Sequence, residues 1–437
     1  MSRPLARAAA TTARRALRPT YMRRAAVTLA LTANAIRPVP GFRVGFPAFV
    51  AGWLTGELAP HLLVLTAADA GLHLRGRHGV PRDPRGLALA AVSAAGLVFL
   101  LDQSRRVGAQ AEAALVEGIG RAYLDEADQG RPADRWDWRT LVNPFGGLRS
   151  SRGAGWRVER DIAYGDAGKR NWLDVYSPED PVERAPVLLQ VHGGGWAIGT
   201  KQEQGIPLMR HLAAKGWVCV AINYRLAPHN SFPAHIIDVK KAIAWIHQHI
   251  EAYGGDPAYV AITGGSAGGH LAALAALTPD QAQWQPGFED ADTRVQVAVP
   301  HYGVYDLAGA TGLRSARLMR DRFLGPVVLQ KRFSVDPHAF EEASPLLQVT
   351  PDDTPDFFVL HGTRDTMVEV EQARQFVARL REVSQGTVVY AELPGAQHAF
   401  DLFPSLRSTQ VVRAIDRYLH WHHRTWQAGL DHADRMT

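Results

Sequence analysis

The strongest constraint on the fold is a regular alternation, from about residue 151 onward, of short apolar runs with stretches of helical periodicity. Such alternation predicts repeated strand–helix–strand units, and therefore an α/β domain with a mostly parallel central sheet flanked by helices. The predicted strands are 171–176, 186–191, 217–223, 259–263, 295–300, 357–360 and 387–392. The predicted helices lie near 203–215, 232–252, 267–277, 370–383 and 404–425. We expect this domain to span 151–427, with a small helical cap or lid insert at 305–345, where the alternation breaks.

The region 1–102 has a different character. Its first 43 residues carry nine arginines and no acidic residue, so the rest of the chain has a net charge of −4 although the whole chain has +5. Apolar stretches lie at 25–36, 44–68 and 86–101. As helices, the last two would be about 37 Å and about 24 Å long, against a hydrocarbon core of about 30 Å. We therefore expect 1–102 to be helical and to contact membrane lipid, with Glu57 and Pro60 causing a kink or a pair of helices in one leaflet.

Two other interpretations of this region stay open. Arg23, Arg24, the apolar run after them and the Ala-Asn-Ala sequence at 33–35 resemble a secretory signal peptide, which would export the protein after cleavage near Ala35. Alternatively, the helices form a cap on the α/β domain. Arginines flank every candidate helix, so membrane topology stays open. No nucleic-acid-binding motif accompanies the basic tail, so we do not expect a nucleic-acid partner.

A connector is expected between the two regions, over 103–150. Apolar residues follow a helical period from 107 to 123, which predicts an amphipathic helix. The following segment is rich in Asp, Arg, Gly and Pro, with Trp136, Trp138 and Phe145 interleaved, and this composition is typical of a linker. We place the domain boundary near residue 150.

Small residues surround Ser266, between a predicted strand and a predicted helix. Residues 264–269 read Gly-Gly-Ser-Ala-Gly-Gly. A nucleophilic serine in a tight strand-to-helix turn needs such neighbours, because larger side chains would clash there. The N-terminus of the following helix favours the negative charge that develops during attack. Ser266 is therefore predicted to be a catalytic nucleophile.

A serine nucleophile needs a base within hydrogen-bond reach, and the base needs a carboxylate to orient it. His398 and Asp365 each follow a predicted strand, which places both at the same sheet edge as Ser266. We therefore predict His398 as the base and Asp365 as the acid, with Glu369 and Asp401 as alternative acids. The chain order Ser, Asp, His is that of the α/β-hydrolase fold.

A glycine run follows another predicted strand, directly after His192. Its backbone can approach a tetrahedral intermediate closely, so the oxyanion donors are expected among Gly193, Gly194 and Gly195, together with the N–H of Ala267. The run lacks the Lys-Ser/Thr ending of a phosphate-binding loop and the spacing of a dinucleotide site. We therefore do not expect nucleotide binding, and we expect His192 to brace the loop.

Cys219 is the single cysteine, which excludes an intrachain disulfide and a cysteine-based metal cluster. It lies in an apolar predicted strand, where a thiol is usually a small buried apolar group rather than a nucleophile. No metal-ligand cluster accompanies the predicted catalytic residues. We expect neither a metal nor an organic cofactor.

Residues 186–400 resemble the hormone-sensitive-lipase-like branch of the carboxylesterases and lipases. The matching positions are 192–196, 223–228, 232–234, 238, 253–257, 264–269, 365 and 398. The resemblance implies an α/β-hydrolase fold and a serine esterase that works through an acyl-enzyme. It also implies that Gly194, Gly195 and Ala267 bind the oxyanion and that residues 266, 365 and 398 form the triad.

The N-terminal region departs from the soluble members of this family. It is more similar to the membrane-anchored deacetylases and the lipase-like esterases of mycobacteria and other actinobacteria, which implies a place at the bacterial inner membrane. The triad would equally serve an amidase, a thioesterase or a prenylcysteine-type methylesterase, and a hydrolase-fold receptor is a further alternative. The small-molecule or lipid ester, the acyl-chain preference and the oligomeric state stay open.

Overall fold

The computed structural model describes residues 20–39, 45–76, 83–126, 142–144, 155–279 and 281–436. The chain divides into two compact units, Met1–Gln103 and Ser104–Thr437. Most of the basic tail, at 1–19, lies outside the described residues. So does most of the predicted linker, including Trp136, Trp138 and Phe145.

The described part of the first unit is helical. Its helices are α1 (Tyr21–Ile36), α2 (Gly45–Glu57), α3 (Ala59–Arg75) and the start of α4 (Pro84–Ile119). Helices α2 and α3 meet at an angle of 80°, at the position where Glu57 and Pro60 were expected to cause a kink or a pair of helices. By length and composition, α4 could cross a membrane, and the bent α2–α3 pair could form a second span.

Helix α4 joins two predicted segments, because no proline or glycine separates the apolar stretch 86–101 from the amphipathic helix that begins at 107. A short helix, α5 (Tyr123–Glu126), follows it.

An eight-stranded sheet forms the centre of the second unit as described. Its strands are β1 (Trp156–Ala163), β2 (Trp172–Pro178), β3 (Ala185–Val191), β4 (Val218–Ile222), β5 (Gly255–Gly265), β6 (Val297–His301), β7 (Asp356–Gly362) and β8 (Val388–Leu393). Their order is β1-β2-β4-β3-β5-β6-β7-β8. Strand β2 runs antiparallel to β1 and β4, and the other pairs are parallel. The mostly parallel sheet is confirmed.

The seven predicted strands are all present, and β1 is an addition. This strand reads Trp-Arg-Val-Glu-Arg-Asp-Ile-Ala at the edge of the sheet, and its charged side chains are exposed or half-buried. Because an edge strand can face water, charged residues interrupt its apolar pattern and hide it from sequence reasoning.

The predicted helices of this unit are also present. The helices are α6 (Ile206–Ala213), α7 (Ala234–His249), α8 (Ala267–Leu277), α9 (Arg314–Met319), α10 (Pro337–Glu342), α11 (Val370–Val383) and α12 (Leu406–Met436). Every residue of α8 is buried, and its alanines and glycines allow close packing against the sheet. Since α8 begins directly after β5, its N-terminus lies at the carboxyl edge of the parallel strands.

The insert at 305–345 is built from short helical segments. Helix α9 runs directly into a π-helical segment, Arg320–Leu329, which contains Pro326. A proline has no N–H to donate, so a regular α-helical ladder cannot continue across it. Leu324 and Val328 are fully buried in the main core. The segment is therefore packed onto the α/β domain.

Candidate active site

Ser266 occupies the turn between β5 and α8 in a strained backbone conformation, with φ 60° and ψ −121°. The Ser266 N–H donates to the His301 carbonyl at 3.0 Å, and the Ser266 carbonyl accepts from the His270 N–H at 2.9 Å. A Cβ atom on any of the flanking glycines would collide with neighbouring atoms. These glycines are Gly264, Gly265, Gly268 and Gly269. The turn that the sequence predicted is formed, with Ser266 only half-buried.

His398 and Asp365 follow the neighbouring strands β8 and β7 and contact each other. His398 Nδ1 lies 2.7 Å from Asp365 Oδ2, and both side chains are buried. The other oxygen, Asp365 Oδ1, accepts the backbone N–H groups of Met367 and Val368, each at 2.8 Å. These two amides fix the carboxylate, so its second oxygen is held toward the imidazole.

The carboxylate of Asp365 is kept ionised. Burial alone would raise its pKa, but the charge of His398 and hydrogen bonds from His361 and His398 hold the pKa well below its usual range. His361 Nε2 lies 3.3 Å from Asp365 Oδ2 and 2.9 Å from the Val368 carbonyl. Sequence reasoning did not assign a role to His361, whose only local signal is its place four residues before Asp365.

The two alternative acids make other contacts. Glu369 is exposed and precedes α11. Asp401 accepts hydrogen bonds from His301 and Tyr302. Of the three carboxylates considered from the sequence, Asp365 is therefore the one that the structure places against His398.

Gln397 links the two loops that carry Asp365 and His398. Its Oε1 accepts the His398 N–H at 2.9 Å and the Thr366 N–H at 2.8 Å. Nothing in the spacing of the sequence singles out this glutamine, because its second partner is reached only through the tertiary fold.

The glycine run after β3 forms a tight loop beside the Ser266 turn. Gly194 has a φ of +111°, a backbone angle that residues with a Cβ atom rarely adopt. The Gly193 N–H donates to Gln204 Oε1 at 2.6 Å. In the described part of the chain, the N–H groups of Gly194, Gly195 and Ala267 have no acceptor. These three donors are thus free to receive an anionic oxygen, whereas Gly193 is already engaged.

His192 is buried beneath this loop. Its Nδ1 lies 2.7 Å from the Gly193 carbonyl, and its ring stacks on Tyr224 with centroids 4.4 Å apart. Burial lowers the pKa of His192 to about 4, although the hydrogen bond to Gly193 acts in the opposite direction. The ring is therefore neutral near pH 7, and these contacts support a bracing role.

An aromatic ring from the insert borders the glycine loop. A Cβ atom at Gly195 would lie 3.3 Å from Phe323 Cζ, in the π-helical segment. Phe323 is therefore an apolar neighbour of the glycine loop that lies outside the motifs found in the sequence.

Cys219 lies in β4 and is fully buried. Burial raises the pKa of its thiol well above the usual value, so the thiol stays protonated and unreactive. Within the described ranges, no group of three or more His, Cys, Asp or Glu side chains is arranged to hold a metal ion.

Known proteins with similar sequences and structures are esterases. The family model described as BD-FAE matches residues 173–380. The probable carboxylic ester hydrolase LipM of Mycobacterium tuberculosis is 45% identical over 416 residues, covering 93% of this chain and 94% of LipM. Esterase LipQ of the same organism is 41% identical, covering 85% of this chain and 83% of LipQ. The structure of Thermogutta terrifontis esterase 2 phosphonylated by sarin matches with a TM-score of 0.50 at 26% identity, covering 60% of this chain and 92% of that one.

Proposed function

This chain belongs to the family of carboxylic ester hydrolases that includes LipM and LipQ of Mycobacterium tuberculosis, and we propose that it cleaves its esters through an acyl-enzyme on Ser266. One observation carries the mechanism: the buried Asp365–His398 hydrogen bond lies at the sheet edge where β5 ends in the strained Ser266 turn. Nucleophile, base and orienting acid thus come from three loops at the same edge.

In the first half-reaction, His398 accepts the Ser266 hydroxyl proton as Oγ attacks the ester carbonyl carbon. The imidazolium that forms is stabilised by the ionised Asp365. When the tetrahedral intermediate collapses, the bond to the alkoxy oxygen breaks and His398 returns the proton to the departing alcohol. In the second half-reaction, His398 deprotonates a water as it attacks the acyl carbon. The bond from that carbon to Ser266 Oγ then breaks, His398 returns the proton to Oγ, and the carboxylic acid leaves.

The negative oxygen of each tetrahedral intermediate would be bound by the N–H groups of Gly194, Gly195 and Ala267. No acceptor for these three N–H groups is found among the described residues, which supports this assignment. Such donors are most effective when they are fixed before the reaction, because no reorganisation is then needed in the transition state. The Gln204 contact to Gly193 and the bracing by His192 would hold the loop in that geometry.

The first experiment compares wild type with Ser266→Ala on p-nitrophenyl esters from acetate to palmitate, in detergent. We expect Ser266→Ala to lose at least about 10³-fold in kcat. Ser334→Ala, which changes an exposed serine of the insert, is the matched control and should keep wild-type rates. If Ser266→Ala hydrolysed these esters as fast as wild type, the serine mechanism would be wrong. Labelling of wild type by a fluorophosphonate further separates this enzyme from a non-catalytic binder.

We also propose that residues 1–102 attach the protein to a membrane, the bacterial inner membrane, through contacts with lipid. Within the first unit, many large apolar side chains are exposed, which is unusual for a surface in water. They include Val27, Phe46, Val64, Leu65, Leu72, Val92 and Phe99. In this proposal, 103–150 connects the membrane region to the hydrolase domain at 151–427, and 305–345 is its lid.

Cell fractionation tests the attachment. The full chain should stay in the membrane pellet after a carbonate wash at high pH, which removes peripheral proteins. The mass of the recovered protein tests the signal-peptide alternative, since export would leave a chain that starts just after Ala35. A full-length chain found in the soluble fraction would contradict the membrane proposal and favour the cap interpretation.

A further inference from the structure

A second carboxylate lies next to the candidate site without touching its base. Asp401 comes three residues after His398, and its carboxylate is hydrogen-bonded to two side chains at the end of β6. It accepts from the Tyr302 hydroxyl through Oδ1, and its Oδ2 lies 2.7 Å from His301 Nδ1. The side chains of Asp401 and His301 are 14% and 5% exposed, so these bonds are formed largely away from water.

Both partners of Asp401 contact the site directly. The Tyr302 ring packs against the His398 ring, with centroids 4.6 Å apart. The Tyr302 hydroxyl lies over Gly265, where a Cβ atom would collide with it. On the other side, the His301 carbonyl accepts the Ser266 N–H at 3.0 Å. His301 therefore contacts the Ser266 turn, and Tyr302 contacts both that turn and the His398 ring.

The conformation of Tyr302 requires support. Its φ is +37°, which is uncommon for a residue with a large side chain. Its N–H donates to the Leu360 carbonyl of β7 at 2.8 Å, and Phe400 packs edge-on against its ring at 5.0 Å. Such strained residues persist when several contacts hold them, and they concentrate at active sites. The hydrogen bond to Asp401 is the polar contact that ties this ring to the loop carrying His398.

Asp401 is suited to this task because it stays ionised. Burial would raise its pKa, but hydrogen bonds and charge from His301 and the hydrogen bond from Tyr302 lower it. A carboxylate can accept two donors at once, one on each oxygen. It therefore joins three chain segments: the end of β6, the loop after β8 and, through the His301 carbonyl, the Ser266 turn.

We propose that Asp401 is a positioning residue that, through Tyr302 and His301, sets the His398 ring against Ser266. The inference rests on the proposed function of Ser266 and His398 and assigns a role to a carboxylate outside that triad. Asp401 takes no proton in the reaction and contacts no substrate. Its effect is to hold base and nucleophile at reacting distance, where a displacement of about 1 Å can lower the rate about 100-fold.

Two variants test the proposal. Asp401→Asn keeps the size of the side chain but replaces one acceptor oxygen with an NH₂ group, so it either leaves one donor without its acceptor or forces His301 into its other tautomer. Tyr302→Phe removes only the hydroxyl. We expect kcat to fall at least about tenfold in Asp401→Asn and at least about threefold in Tyr302→Phe, with KM within about twofold of wild type. Asp356→Asn is the control, because Asp356 also pairs with a histidine, His422 at 3.1 Å, but at the start of β7.

The rates are expressed per active site, counted by titration with a fluorophosphonate at completion. A purely structural role would lower the number of titrated sites and leave kcat per site unchanged, and that result would overturn the proposal. It would also be overturned if Asp356→Asn lost as much kcat per site as Asp401→Asn. If Asp401→Asn does not fold, Tyr302→Phe decides the question alone. Failure of the serine mechanism is distinguishable, because Ser266→Ala would then remain active.

Discussion

Replacing Asp365 with asparagine tests the geometry of the site most directly. Asp365 Oδ1 accepts two backbone N–H groups, at 2.8 Å each, so the amide oxygen of an asparagine must take that position. Its NH₂ group then occupies the position of Oδ2, 2.7 Å from His398 Nδ1. Because an NH₂ group can only donate, Nδ1 must accept and the proton of the neutral imidazole moves to Nε2.

This tautomer cannot act as the base for Ser266, since Nε2 already carries a proton. For this kind of substitution in a serine triad, the expected loss in kcat is about 10⁴-fold, which corresponds to about 5 kcal/mol in the activation free energy. KM should change little, because Asp365 is buried behind His398. The fold should also survive, since the asparagine oxygen keeps both backbone hydrogen bonds.

The assay is initial hydrolysis of p-nitrophenyl butyrate at pH 8, with rates expressed per folded protein. Glu369→Gln is the matched control, because Glu369 lies four residues from Asp365 in the same loop and is exposed. It should keep wild-type kcat. A kcat for Asp365→Asn within tenfold of wild type would refute the assigned role of the carboxylate.

Three further predictions concern the loop, the insert and the C-terminal helix. Gly194→Ala should lower kcat at least about 100-fold on the same ester. Alanine disfavours a φ of +111°, and its Cβ would collide with the Ile198 carbonyl, so the glycine loop should be displaced. Phe323→Ala should enlarge the site beside Gly195. The ratio of kcat/KM for the octanoate ester to kcat/KM for the acetate ester should then rise about fourfold for each extra methylene that becomes buried. An unchanged ratio would exclude Phe323 as a wall of the acyl pocket. Asp416 is fully buried and lies 2.6 Å from Lys215 Nζ; burial would raise its pKa, but His211 and Lys215 lower it well below its usual value. Because the folded-state pKa is the lower one, the carboxylate stabilises the fold fully above about pH 5 and less as the pH falls below about 4. Asp416→Asn should therefore cost about 3 kcal/mol of unfolding free energy in urea at pH 7, and the difference from wild type should shrink at pH 3.

Much of the α/β domain could be predicted because its strands and helices are encoded by local patterns. Strands β3 to β7 are mainly apolar runs, since strands inside a parallel sheet are buried on both faces. The Ser266 turn was equally legible, because its run of small residues is contiguous in the sequence, although most atoms that a Cβ would meet there belong to distant segments. In contrast, β1 escaped detection because its exposed side chains follow no apolar pattern.

The choice among Asp365, Glu369 and Asp401 as partner of His398 could not be made from spacing alone. All three lie in loops or turns that follow β7 or β8, near the same sheet edge. The structure separates them by their contacts. Asp365 contacts the imidazole of His398, Glu369 is exposed to water, and Asp401 contacts His301 and Tyr302. These contacts depend on side-chain directions at the ends of different strands.

By itself, the sequence determined the α/β architecture, the place of Ser266 in its turn and the edge of the sheet at which Asp365 and His398 lie. It could do so because hydrophobic periodicity and the run of small residues around a nucleophilic serine are both visible within a few residues. Only the tertiary structure decided that Gly193 is engaged by Gln204, that Phe323 borders the glycine loop and that Asp401 supports Tyr302. The physical reason is that these contacts join residues that are distant in the chain, and their distances are set by how strands, loops and insert pack together.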